Sequence, residues 1–182
     1  TPTRLVTERT FDIREELFLR DHAIGGVPTP RDPSLLPLPV IPFTFSMELV
    51  AEAGARLLNR QGWVVTAIED ARGSRWLSLD SGQIPLRIVA EQQSADSNEA
   101  RIACRIFLRG EGTTPGGMLV FEGVVVLAAF YPAAPAPMPW AASDGEPPRL
   151  HTAGQVYQHG MFHGPRLQGC TAVTRWGHGG ME

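Results

Sequence analysis

The chain has 182 residues, of which 43% are hydrophobic and 19% charged, and a formal net charge of −3. That is too apolar for intrinsic disorder and long enough for one sizeable core or two small ones. All 16 basic residues are arginine, scattered and outnumbered by 19 acids, so they form no basic stripe for nucleic acid, and the arginine bias fits a GC-rich genome.

Cys104 and Cys170 stand apart in apolar runs, the usage of small thiols in a reducing cytoplasm rather than of a disulfide framework or a metal knuckle. The first residues lack the apolar core of a signal peptide, and no run approaches 18 apolar residues. A cytoplasmic protein without a membrane span is expected.

In chain order, residues 4–13 alternate and predict a first strand, and residues 14–20 predict a turn or short helix that delivers His22. The segment 25–42 holds six prolines, which exclude a regular helix or a central strand. From Phe43 the period becomes helical. Met47, Val50, Ala51, Gly54, Leu57 and Leu58 fall on one stripe, and Glu48, Glu52, Arg56 and Asn59 on the other. After Gly62 the pattern turns to β: Trp63–Ile68, Arg75–Leu79, alternation at Ile84 to Ala90, alternation at Ile102 to Leu108, and a long apolar run Met118–Tyr131 with Gly123 as a candidate bulge. Trp63, Trp76 and the pair Phe43 and Phe45 read as core. The class is therefore α+β, one helix against five or six strands.

Residues 132–148 carry a Pro/Ala-rich stretch that predicts a semi-rigid linker. The expected division is 1–131, linker 132–148, and 149–182 as the start of a second unit. Those last 34 residues offer an elbow rich in Gly and Pro and a strand candidate at Cys170–Trp176. They are too few for a core of their own, so the second unit is expected to be incomplete within them.

Two motifs carry chemistry. His22 and Gly26 make an HxxxG pattern, and Tyr157, Gly160, His163, Gly164, Pro165 and Gln168 form a Tyr-x-x-Gly-x-x-His-Gly-Pro-x-x-Gln elbow, with Leu167 before the Gln. A long helix with an antiparallel sheet, a linker, and these motifs in this order resemble the dehydratase domains of polyketide synthases and polyunsaturated-fatty-acid-type synthases, which are double hotdogs. The family pattern is HxxxGxxxxP; position 31 here is Arg, and Pro42 at the helix start looks like the displaced proline.

The resemblance implies dehydration of a 3-hydroxyacyl thioester on an acyl carrier protein to a trans-2-enoyl thioester, with no cofactor, inside a synthase and as a homodimer. It makes His22 the general base and puts Gly26, Pro42, Phe43, Tyr157, His163, Gly164 and Pro165 around the substrate. A histidine suits that role because its ordinary pKa of about 6.5 leaves much of it neutral near pH 7. N–H groups at Gly26 or at the helix start after Pro42 are candidate enolate donors. The family's acid is an Asp of an Asp-x-x-x-Gln/His motif, and after Pro165 the only acid is Glu182. The Asp is therefore expected beyond residue 182, or else the molecule is catalytically incomplete. Glu48, six residues after Pro42, stands where single-hotdog dehydratases carry a glutamate and is the substitute candidate.

Other readings stay open. The protein could be a non-catalytic double hotdog that binds acyl chains or scaffolds a synthase, a product-template-type cyclase, or a hotdog thioesterase. His22 could be a plain turn residue, Glu48 a solvated helix residue, and Tyr157 and His163 packing for the elbow. His159 and His163 are four apart, but Gly160, Gly164 and Pro165 argue against a shared helix, so no metal site is expected.

Overall fold

The computed structural model describes residues 2–25, 37–110, 115–136, 152–173, 176–177 and 180–181. The chain divides into two compact units, one of residues 1–16 and 40–133, the other of 17–39 and 134–182. The segment around His22 groups with the C-terminal residues.

The first unit is an antiparallel five-stranded sheet with one long helix on one face. The strands are β1 (Arg4–Asp12), β4 (Val64–Gly73), β5 (Gln83–Ala95), β6 (Glu99–Leu108) and β7 (Met118–Ala128), in the order β1-β5-β6-β7-β4. The helix α1 spans Phe43–Leu58. In register, Ile88 faces Ile106, Ile106 faces Phe121, and Ile102 faces Val125. These side chains are buried with Phe11, Val50, Leu57 and Leu86 to form the core. Their alternation with Arg and Glu is the period-2 pattern of a sheet with one dry face.

On the other face the charges pair across strands. Arg4 and Arg105 share Glu91 (2.9 and 3.1 Å), Arg109 reaches Glu8 at 3.3 Å, and Arg101 binds Glu69. Exposed pairs of this kind each contribute only about 0–1 kcal/mol. Their larger effect is to fix which face meets water, since a one-residue slip in register would bury them.

The helix starts after Pro42, whose carbonyl accepts the N–H groups of Phe45 (3.0 Å) and Ser46 (3.1 Å), and ends at Asn59 in the left-handed region (φ 47°). Its buried face is Ser46, Leu49, Val50, Ala53, Gly54, Leu57 and Leu58. That corrects the predicted stripe: Met47 and Ala51 lie at its edge, and Leu49 and Ala53 take the centre. At Gly54 a Cβ would lie 3.1 Å from Val125 Cγ1, so glycine lets the helix sit close upon β7.

Three strand-level expectations also change. Residues 75–79 make no strand and contribute one bridge, Val40 to Ser78, while β5 is longer than its alternating core suggested. Beside Gly123 the bulge lies in the neighbouring strand, with Asp70 (φ 50°) and Ala71 inserted between Glu69 and Arg72. A Cβ on Gly123 would meet Glu69 O at 3.3 Å, so the bare glycine admits that folded backbone. Trp76 (69% exposed) and Phe43 (50% exposed) are not core residues.

In the second unit, a 3-10 turn, Leu17–Asp21, leads through His22 into β2 (Ala23–Ile24), which pairs with β3 (Leu38–Pro39). Further on, α2 (Ala153–Gln155) runs directly into a π turn, Val156–Gly160, and Pro165–Leu167 forms a second 3-10 turn. Helix at 153–160 was not anticipated. Two short strands, β8 (Trp176–Gly177) and β9 (Gly180–Met181), pair with each other; of the strand expected at Cys170–Trp176, residues 170–173 form only an isolated bridge from Ala172 to Thr152. Among the described residues no helix is long and apolar enough to cross a membrane.

Candidate functional site

His22 is placed by local geometry on both sides. Its N–H donates to Leu19 O at 3.3 Å, closing the 3-10 turn, and Ala23 starts the β2 ladder. Leu19 and Ala23 are buried, and the imidazole between them is partly buried.

The second motif comes to it directly. His22 and His163 form an antiparallel backbone bridge, and their ring centroids lie 5.4 Å apart. Phe162 completes the cluster, stacked on His163 at 4.7 Å and edge-on to His22 at 5.1 Å. Two imidazoles, both donors and acceptors of protons, therefore share one aromatic wall.

Next to this cluster the backbones are tied together. Gly164 N–H donates to Asp21 O at 2.7 Å, and Arg166 N–H donates to Asp21 Oδ2 at 2.9 Å. Gly164 has an ordinary extended backbone (φ −76°, ψ 178°), so its requirement is space. A Cβ there would fall 2.7 Å from Asp21 Cγ and closer still to Oδ1. Pro165 opens the following 3-10 turn, where its fixed φ and missing N–H cost nothing. Gln168 Nε2 then donates to His163 O at 3.0 Å, holding the elbow from its far side.

Tyr157 stands on the π turn and its hydroxyl accepts the Cys170 N–H at 2.6 Å. The helical start of this segment is set by a capping box: Gln155 N–H donates to Thr152 Oγ1 at 3.3 Å, and Thr152 N–H donates to Gln155 Oε1 at 3.1 Å. An open cavity of about 510 Å³ is lined by Ala153, Gly154, Tyr157, Gln158, Gln168, Cys170 and Thr171. Tyr157 thus pins the elbow through its hydroxyl and borders this cavity.

The helix at 153–160 carries His159 and ends before His163, so the argument from Gly160, Gly164 and Pro165 against a shared helix applies only past Gly160. Among the described residues no group of three or more His, Cys, Asp or Glu is placed to hold a metal. Gly26 lies outside the described residues. Pro42 and Phe43 belong to the first unit, where Pro42 starts α1 and Phe43 packs on Phe121 at 5.3 Å. Glu48 lies exposed on the polar side of α1.

Asp21 and Phe162 were not singled out from sequence as functional. The only local signal for Asp21 is its place directly before His22, and for Phe162 its place directly before His163.

No protein-family model matches the chain, and no curated protein does. Solved structures do. A dehydratase domain of a trans-AT polyketide synthase from Brevibacillus brevis matches with a TM-score of 0.60 and 15% identity over 95% of this chain and 56% of that one. The dehydratase domain from the CurF module of curacin polyketide synthase matches with a TM-score of 0.57 and 18% identity over 96% of this chain and 57% of that one. An acyl-CoA hydrolase from Staphylococcus aureus matches with a TM-score of 0.50 and 12% identity over 70% of this chain and 64% of that one. The chain thus spans little more than half the length of the two dehydratase domains. With its antiparallel sheet and long helix, it has the α+β hotdog fold that these proteins share.

Proposed function

We propose that the chain is the His-bearing part of a double-hotdog dehydratase that converts 3-hydroxyacyl groups on an acyl carrier protein into trans-2-enoyl groups, in the cytoplasm, without a cofactor, within a dimeric polyketide or fatty-acid synthase. The observation that carries this reading is the meeting of His22 with His163, residues of the two motifs on which the dehydratase resemblance rests.

In this reading the neutral imidazole of His22 takes the proton from the carbon beside the thioester carbonyl. The C–H electrons form the enolate, whose oxygen is stabilised by hydrogen-bond donors. Collapse of the enolate expels the 3-hydroxyl, which leaves as water once an acid has protonated it. The acid in this reading is the family's Asp, which the 182 residues do not contain; Glu48 is the substitute where two hotdogs pair across chains. Phe162 and His163 give His22 a partly dry wall, and the space beside Tyr157 lies on the same elbow.

The test is incubation of the full-length domain with a 3-hydroxyacyl pantetheine thioester, following loss of water and release of free thiol together. Wild type should lose water and leave the thioester intact, and His22→Ala should not. Thioester cleavage without water loss would assign the site to hydrolysis instead. Binding of acyl carrier protein with neither reaction would make it a scaffold.

A further inference from the structure

We infer that Asp21 is a positioning residue, which sets the orientation of the His22 imidazole by clamping the His163–Arg166 elbow to it. This rests on the dehydratase reading for its catalytic consequence, but the geometry stands by itself.

The clamp has three parts. The carbonyl of Asp21 accepts the Gly164 N–H at 2.7 Å, and its Oδ2 accepts both the Arg166 N–H at 2.9 Å and the Arg166 guanidinium at 3.3 Å. The Asp21 side chain is only 12% exposed, whereas that of Arg166 is 56% exposed. The ion pair on the solvent side therefore adds little, and the shielded bond from a main-chain N–H to a carboxylate adds more.

Gly164 supplies an independent argument. Its backbone angles suit any residue, yet the position of a Cβ is already occupied by the Asp21 carboxylate. The glycine of the elbow is thus matched to this aspartate. Because Asp21 and His22 are consecutive, fixing the main chain and side chain of the first leaves the second little choice of direction. His163 and Phe162 arrive on the same clamped segment, which brings their rings against the His22 imidazole.

The experiment reads the rings before it reads the rate. In the wild-type protein, NMR should show a cross-peak between the His22 and His163 ring protons, with His22 shifted by the Phe162 ring current. Asp21→Ala should remove the cross-peak and lower kcat by on the order of 10- to 100-fold with little change in KM, the usual penalty for misplacing a catalytic group by about 1 Å. Asp21→Asn keeps an oxygen for the Arg166 N–H and should restore the cross-peak and most of kcat. If Asp21→Ala does not fold, Gly164→Ala, which forces the carboxylate aside, should give the same loss of the cross-peak. A cross-peak unchanged in Asp21→Ala, or in Gly164→Ala when the first variant does not fold, overturns the inference, as does failure of Asp21→Asn to restore it. A wild type with the cross-peak but no turnover removes the dehydratase reading and leaves the clamp in place.

Discussion

His22 and His163 come from opposite ends of the chain and meet on paired backbones, with ring centroids 5.4 Å apart. That relationship makes a site out of two motifs which are individually weak, since a histidine near a glycine is common by chance. It also predicts what single substitutions should do.

His22→Gln preserves size and some hydrogen bonding but cannot take up the proton. Dehydration should fall by about 100-fold or more, the usual worth of a positioned base. His163→Gln should cost less if it only packs the elbow. Glu48→Gln tests the cross-chain arrangement, in which it too should lose about 100-fold. Steady-state rates with the pantetheine substrate check all three.

Gly164→Ala should be far more harmful than a surface glycine replacement, because the added methyl meets the Asp21 carboxylate rather than open space. Overpacking of this kind costs about 1–3 kcal/mol. Gly154→Ala on the same unit has no heavy atom within 4 Å of the new Cβ and serves as the control. Urea titration of both variants would show the difference.

In the first unit, Gly54→Leu should destabilise the hotdog by about 1–3 kcal/mol or more, since the added side chain has to displace the fully buried Val125. The gain in helix propensity on replacing glycine, up to about 1 kcal/mol, offsets only part of this. A fall in the denaturation midpoint with an unchanged slope checks it.

Asp12 links stability to pH. Its carboxylate is held well below the ordinary carboxylate range, first by hydrogen bonds from the Arg14 side chain, then by Gln83 Nε2 at 2.7 Å and the Arg14 N–H at 2.8 Å, against an opposing effect of burial. A depressed folded-state pKa means that this stabilisation is complete above the unfolded-state value of about 3.9 and is lost as the pH falls from there toward the lower native value. The stability difference between wild type and Asp12→Asn should therefore be constant from pH 7 to about 5 and shrink below about 4. A difference that grows on acidification contradicts the assignment.

The two thiols should behave differently. Burial pushes the Cys104 pKa up to about 12, only slightly opposed by Arg105, and its Sγ lies 3.6 Å from Val50 O. A thiolate reagent at pH 8 should label the half-exposed Cys170 in the native protein and reach Cys104 only after unfolding. Two fast-reacting native thiols would contradict this.

Much of the first unit was legible because its signals are local. Ile102, Cys104 and Ile106 alternate with arginines, and Glu48, Glu52 and Arg56 do mark the wet side of α1. The dry side was drawn one residue off, because Leu49 and Ala53 sit beside the polar stripe and only contact with the sheet shows which way the helix is turned. Arg75–Leu79 has β-forming residues but no partner strand along it, and strand pairing is not a local property. The helix at 153–160 has only one local signal, the capping box of Thr152 and Gln155, and the glycines and prolines that follow it mask its pattern. Both halves of the candidate site were visible as motifs. Their meeting was not, because it depends on Asp21 and on the empty space at Gly164.

The most direct test of His22 as the proton-transferring base is the reverse reaction in heavy water. When a 2-enoyl pantetheine thioester is hydrated in D2O, wild type should deliver deuterium to the carbon beside the thioester, and His22→Ala should deliver none above the uncatalysed background. Equal deuteration by the two proteins would contradict the account.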